Sequence, residues 1–336
     1  MNALTPRGWL LRLGALLLLA LLCAVAALGL GAEWISPRRL LSGDPRVAFI
    51  LLDLRLPRVL AGLFVGGALA ACGAAFQALL RNPLASPFVL GVSGGGSLGA
   101  VLAIVLGLDA ATAWLPLPIR PLFAFAGCLA ALLLIYAVAR QGGRLRPEIL
   151  LLAGVVANAF FLSVMGFLQY VASPHQAQEI LRWMMGGLFG ITMGAALLTG
   201  AIVLAGTVVL TALGRDLNVL SLGEETAVQL GVPAARVRRR VFVVASLMTG
   251  AAVAVAGPVA FVGLFVPHAV RLTLGSDHRL VVPASFLAGG AVLVLADAAA
   301  RVAASPGEMP VGLLTAALGA PLFLVLLARG RAGRIP

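Results

Sequence analysis

The sequence predicts an all-α, multi-pass membrane protein built as a single transmembrane domain spanning residues 1–336. Three observations predict it: an apolar composition, ten apolar runs long enough to cross a bilayer, and an uneven placement of arginine between them. Hydrophobic residues make up 61% of the chain and charged residues 11%, with a mean hydropathy of +1.08. Soluble domains carry about 25% charged residues, which excludes that class. All 24 basic residues are arginine, set against 12 acidic ones. The resulting +12 does not gather on one amphipathic face, so positive-inside topology explains it better than nucleic-acid binding.

A helix needs about 20 apolar residues to cross the hydrocarbon core. Such runs fall at 10–32, 59–80, 88–107, 119–139, 149–171, 191–213, 241–257, 259–273, 281–300 and 311–328. The first follows Arg7 and Arg12 and outruns the h-region of a signal peptide, so it reads as an uncleaved span. The short pair across Gly257-Pro258 is the weakest. Ten spans put both termini on one side. With the termini in the cytoplasm, 16 of the 24 arginines lie inside. The eight outside are Arg38, Arg39, Arg46, Arg55, Arg58, Arg120, Arg182 and Arg301. That bias supports N-in and C-in, but the outside eight call for another role.

Cys23, Cys72 and Cys128 fall inside apolar runs without metal-ligand spacing and read as small core residues. The longest inside loop is about 214–240, and the longest outside stretches are about 33–58 and 172–190. None has the size of an ATP-hydrolysing domain, and no G-x-x-x-x-G-K-[ST] motif occurs.

The stretch Gly91 to Gly99 matches two signatures. Gly94–Gly99 reads G-x-G-x-x-G, but no acidic residue follows at about 20 positions and the context is a span rather than a strand. Gly91–Gly95 reads G-x-S-x-G, so an intramembrane serine protease using Ser93 with His268 as base is one alternative. The plainer reading is helix packing, since Gly91/Gly95/Gly99 and Gly62/Gly66 repeat small residues every fourth position. Packing is favoured over catalysis, so no catalytic residue and no metal ligand is assigned.

Three blocks carry more information. The first is Arg55-Leu56-Pro57-Arg58 through Gln77 to Arg81-Asn82-Pro83-Leu84-Ala85-Ser86-Pro87 and the glycines. The second is Leu220-Ser221-Leu222-Gly223-Glu224-Glu225-Thr226-Ala227-Val228-Gln229-Leu230-Gly231-Val232. The third runs from Gly257 through Phe265-Val266-Pro267-His268, Asp277 and Asp297 to Met309-Pro310-Val311-Gly312 and Gly319-Ala320-Pro321. Together, over nearly the whole chain and in order, they resemble the FecCD family. These are permease subunits of bacterial ABC importers for iron-siderophores, haem and vitamin B12.

The resemblance implies the type II ABC importer permease fold, with ten helices per subunit and a homodimer around a central pathway. It also implies two cytoplasmic ABC ATPase subunits, which hold ATP and Mg, and a periplasmic or lipid-anchored substrate-binding protein. No cofactor is expected on this chain itself. Its place is the bacterial inner membrane, with lipids as neighbours and no nucleic acid as partner. A stand-alone secondary carrier is the remaining alternative, but it leaves the segment at 221–231 without a partner.

Site residues follow from the same resemblance. Ser221, Leu222, Gly223, Glu224, Glu225, Ala227, Leu230 and Gly231 would couple to the ATPase. Independently of family, Ser221 and Glu224 have capping-box spacing, Gly231 suits a C-terminal cap and Pro233 a stop, which predicts a short separate helix. Arg55 and Arg58, one helical turn apart, and Arg301 would dock the binding protein, guanidinium against carboxylate. Lipid headgroups are the alternative partner of the first two, and Asp297, four residues upstream, that of Arg301. Asn82 and Leu84 would belong to a cytoplasmic gate, or form a plain turn. Asn158 would line the pathway, near His175, Gln176, Gln178 and Glu179.

Overall fold

The computed structural model describes residues 6–31, 35, 44–108, 119–141, 144–304 and 307–332. Arg38, Arg39 and Arg334, counted in the topology argument, lie outside them. The regular structure of the described chain is helical apart from an antiparallel ladder of two residues per strand. Helix α1 (Pro6–Gly29) comes first. Next, α2 (Pro45–Phe49) runs through a π-helical turn (Ile50–Arg55) into α3 (Leu56–Leu80). Helices α4 (Val92–Val105) and α5 (Ile119–Ala139) follow, then strands β1 (Arg140–Gln141) and β2 (Arg144–Leu145). The order continues with α6 (Pro147–Val171), α7 (Pro174–Met184), α8 (Met193–Ala212), α9 (Gly214–Ser221) and α10 (Glu224–Gln229). It closes with α11 (Ala234–Ala256), α12 (Val262–Leu274), α13 (His278–Ala303) and α14 (Val311–Ala332).

Among the described residues, seven helical runs are long and apolar enough to cross a membrane, and Val92–Val105, Val262–Leu274 and Val311–Val325 are shorter apolar helices. Each forms because every backbone group must be paired internally where water is absent. The stretch read as the outside segment 33–58 is helical from Pro45 onward, so Arg55 and Arg58 belong to a continuous helical run. Asp44 caps its start through Arg46 N at 2.9 Å, and Pro45 suits the first turn.

Helix α3 is the axis of the bundle, buried along almost its whole length against α13, α11, α8 and α12. Its sequence explains this, because Ala61, Gly62, Gly66, Gly67, Ala68, Ala70, Ala71, Gly73 and Ala74 leave room for other backbones. In lipid, close van der Waals approach is what helix association has to work with. Gly66 meets Gly289 of α13 so closely that a Cβ on either would strike the other's carbonyl oxygen. The same reciprocal contact joins Gly95 of α4 to Gly127 of α5, with Gly99 against the Phe123 carbonyl. The glycine stretch is therefore a packing surface.

Helices α1, α6 and α8 turn large apolar side chains outward, among them Leu11, Val25, Leu152, Phe160, Leu198 and Val208. Rows of this kind on several helices suit lipid or another protein surface.

Candidate coupling, gate and outer-face sites

Helix α10 sits on an exposed loop between α9 and α11, and its local chemistry departs from a capping box. Ser221 ends α9, and its hydroxyl donates to the Asn218 carbonyl at 2.6 Å. The N-cap of α10 is Gly223, at φ 124, with no side-chain cap. The S-x-x-E expectation is thus corrected: Ser221 is spent on its own helix, because a glycine-only conformation intervenes before the next one. The C-terminus follows the expectation. Gly231 takes φ +77, its N–H reaches the Val228 carbonyl, and Val232 N–H reaches the Ala227 carbonyl at 2.8 Å. This is a Schellman ending.

The loop buries Leu217, Leu220 and Ala227 while exposing Leu222, Val228 and Leu230 by 68%, 63% and 61%. Three large apolar side chains on so short a polar segment form an apolar surface that the described residues leave uncovered. A groove of about 780 Å³ beside α10 is lined by Glu224, Glu225, Val228, Gln229, Pro233 and Arg236. Glu224 itself turns inward, accepting from Arg238 Nη1 at 2.8 Å.

The turn after α3 lies beside this loop, and a Cβ on Gly223 would sit 3.8 Å from Arg81 Nη1. Arg81 takes the left-handed conformation at φ 48 to end α3, and Asn82 N–H closes on the Gln77 carbonyl at 3.1 Å. Asn82 Oδ1 accepts from Leu84 N–H at 2.9 Å, an Asx turn that leaves Leu84 43% exposed. Two side-chain amides hold the rest of the turn. Gln77 Nε2 donates to the carbonyls of Pro83 (2.9 Å) and Leu264 (3.2 Å), and Gln77 Oε1 accepts from Arg271. Asn158 Nδ2, from α6, donates to the Phe88 carbonyl at 2.7 Å. The residue expected on the pathway wall thus pins α6 to this turn.

A third polar cluster joins α9, α13 and α1 at the same end. Asn218 donates to Asp277 at 2.8 Å and meets His278 Nδ1 at 2.7 Å. Arg279 grips Asp277 at 2.6 Å and stacks over Trp9, with 4.8 Å to the ring centroid. The Arg279 hydrogen bond, helped by Asn218, lowers the Asp277 carboxyl from 3.8 to about 2.

At the opposite end the expected docking arginines are buried, each 6–8% exposed. Arg55 Nη1 donates to the Leu28 carbonyl at 2.7 Å, at the end of α1. Arg58 holds Asp297 through Nε (3.0 and 3.1 Å) and Nη2 (2.9 Å). It also reaches Glu308 at 3.0 Å and lies over Phe189. Arg301 donates to the Leu30 and Ala27 carbonyls at 2.9 and 3.0 Å, with Nε 3.1 Å from Asp297 in ionic contact. Glu308, about half exposed, is the acidic group of this cluster that reaches solvent.

Helix α7 starts with a capping box between Ser173 and Gln176, signalled by Ser-Pro-His-Gln and not read from the sequence. Gln176 also donates to the Ile104 and Val105 carbonyls. His175, Gln178 and Glu179 instead line a cavity of about 320 Å³ with Arg120, Arg182 and Trp183. Arg120 pairs with Glu179 at 3.2 Å, a contact that the expectation for this segment also missed.

The protease alternative finds no support in this geometry. Ser93 is 3% exposed inside α4, its carbonyl accepts from Ser97 Oγ at 3.0 Å, and no hydrogen bond joins it to His268 among the described residues.

A bundle of apolar helices with small-residue interfaces and an exposed, apolar-studded helix in one end loop has the build of a multi-pass membrane protein with a surface open to a partner. The chain belongs to the FecCD transport family, whose sequence model matches residues 17–329. It is 40% identical over 326 residues to the vitamin B12 import system permease protein BtuC of Escherichia coli O9:H4, covering 96% of this chain and 95% of that one. It is 39% identical over 335 residues to the hemin transport system permease protein HmuU of Yersinia pestis, covering 96% and 97%. The cobalamin import system permease protein BtuC of Halobacterium salinarum is 43% identical over 286 residues, covering 85% and 75%. A solved structure described as an inward-facing conformation of a metal-chelate type ABC transporter superposes with a TM-score of 0.84 at 31% identity, over 94% of this chain and 98% of that one. The protein is accordingly a permease subunit of an ABC importer. It is a transport component whose ATP is hydrolysed by a separate subunit.

Proposed function

We propose that this subunit carries a metal-tetrapyrrole chelate, a corrinoid or haem, inward across the cytoplasmic membrane of a bacterium. The observation that carries this reading is the near-full-length identity of about 40% to permeases named for vitamin B12 and for hemin. A ferric siderophore remains the neighbouring cargo class. The test is uptake of cyanocobalamin, hemin and ferric siderophore into vesicles holding the assembled importer. Uptake of neither tetrapyrrole would overturn the cargo reading.

The working unit is a homodimer of ten-span subunits, N-in and C-in. The three shorter apolar helices would join the seven long ones as spans, because buried protein surroundings can satisfy a short helix's ends. Two ATPase subunits, carrying ATP and Mg, dock on α10 through Leu222, Val228 and Leu230 around the neighbouring groove. Ser221, Gly223, Glu224, Glu225, Ala227 and Gly231 shape that segment. The turn with Asn82 and Leu84 acts as the inner gate, and Asn158 fastens it to α6. A substrate-binding protein docks at the opposite end. There Arg55, Arg58 and Arg301 hold the ends of α1, α3 and α13 that form the docking face, and Glu308 faces the partner. The chain binds no cofactor of its own.

A further inference from the structure

We infer that Arg238 is the positioning residue that transmits movement of α10 to α6. The inference rests on the reading of α10 as the ATPase-docking helix. Four arginines crowd the start of α11, and three of them, Arg236, Arg239 and Arg240, are exposed. Arg238 is 3% exposed. It falls on the inward stripe because it lies four residues after Ala234 and three before Val241, both buried. Turning a guanidinium inward removes it from water at a penalty of several kcal/mol unless its partners are well placed. Here the partners are incomplete: Nε is buried with no hydrogen-bond partner among the described residues. Stability alone is a poor reason for such an arrangement.

What the arginine gains is connection. Nη1 donates to Glu224 Oε2 at 2.8 Å and to the Leu145 carbonyl at 3.4 Å. Glu224 is the first residue of α10, and its carboxylate stays 37% exposed. Leu145 ends β2, two residues before Pro147 starts α6. One nitrogen therefore ties α10 to the short segment that leads into α6. Farther along α6, Asn158 holds the Phe88 carbonyl. Three polar contacts then run from α10 to the turn after α3: Glu224 to Arg238, Arg238 to Leu145, and Asn158 to Phe88. A displacement of α10 by a docked partner moves the Glu224 carboxylate, and the charge-assisted bond draws Arg238 and the head of α6 with it.

The test uses the complete importer, with its ATPase subunits, in lipid nanodiscs. Nitroxides at Leu152→Cys on α6 and Val208→Cys on α8, both exposed in this chain, report the inner half of α6. The buried Cys23, Cys72 and Cys128 should stay unlabelled. Pulsed-EPR distances are recorded without nucleotide and with trapped ATP. In the parent chain the distance shifts with ATP. In Arg238→Gln the ATPase still assembles and hydrolyses ATP, but the shift is lost; Arg239→Gln retains it. An undiminished shift in an assembled Arg238→Gln complex overturns the inference. If Arg238→Gln does not fold, Glu224→Ala cuts the same link from its exposed side. Loss of the shift in that variant with the ATPase bound supports the relay, and an unchanged shift overturns it. Failure of the parent chain to bind any ATPase would instead overturn the docking reading of α10, and the relay with it.

Discussion

Arg58 and Asp297 meet as a buried, doubly hydrogen-bonded pair, with guanidinium-to-carboxylate contacts of 2.9, 3.0 and 3.1 Å between helices 239 residues apart in sequence. Asp297 also faces Arg301 at 3.1 Å, so one carboxylate balances two cations at the adjoining ends of α3 and α13. Asp297→Ala would leave both cations without their buried counter-charge. Breaking a buried pair in this way costs about 3–5 kcal/mol. The expected result is a clear fall in the thermal midpoint of the detergent-solubilised chain, with a smaller fall for Asp297→Asn. Equal stability of Asp297→Ala and the parent would refute the structural role.

The apolar row on the α10 loop carries a prediction that leaves the fold alone. Val228 is 63% exposed, so Val228→Asp should not change the stability of the isolated chain. Central apolar contacts in interfaces are worth about 1–2 kcal/mol or more, so affinity for the ATPase should fall by about five- to thirtyfold or more. Charge reversal at Glu224 and Glu225 together should also detach or uncouple the ATPase. Co-purification of the ATPase with each variant decides this.

Packing at glycine gives a third prediction. A Cβ at Gly66 would meet the Gly289 backbone, which is not a flexible side-chain end that can swing away. Overpacking of this kind costs about 1–3 kcal/mol. Gly66→Ala should lower the unfolding temperature, whereas Gly194→Ala, with open space around it, should not. Parallel melting curves test the contrast.

Asp277 should make stability respond to acid. Its folded carboxyl titrates at about 2, below an unfolded value of about 3.9. A group depressed in this way contributes fully above the unfolded value and loses that contribution as pH falls through the folded one. The stability gap between the parent and Asp277→Asn should hold from neutrality to about pH 4, then close toward pH 2. A gap independent of pH over that window would show that the Arg279 and Asn218 contacts do not act through charge.

Docking at the outer face can be separated from folding there. Glu308→Gln removes the solvent-facing charge of the Arg58 cluster while Asp297 still holds the guanidinium. Affinity for the substrate-binding protein should change with little change in melting temperature. Unaltered affinity would move the docking face away from this cluster.

How much was legible follows from which forces act locally. The sequence alone carries the apolar helices, because a chain in lipid must pair each backbone group within its own helix, and that demand reads directly as runs of apolar residues. It determined the glycine face of α4 and the stop at Gly231, since both depend on missing side chains at fixed spacing. Tertiary structure decided the partners of the polar groups. Arg55 and Arg58 read as docking arginines at a span's mouth, and within the chain Asp297, Glu308 and the end of α1 also take them up, which no local pattern announces across such distances. Asn158 likewise holds the Phe88 carbonyl, 70 residues away, a contact that no local pattern announces. Arg238 could not be told from Arg236, Arg239 and Arg240 until the packing of α11 chose which one faces inward. Apolar burial is written along one helix at a time, whereas the pairing of buried charges is settled by how separate helices come to lie together.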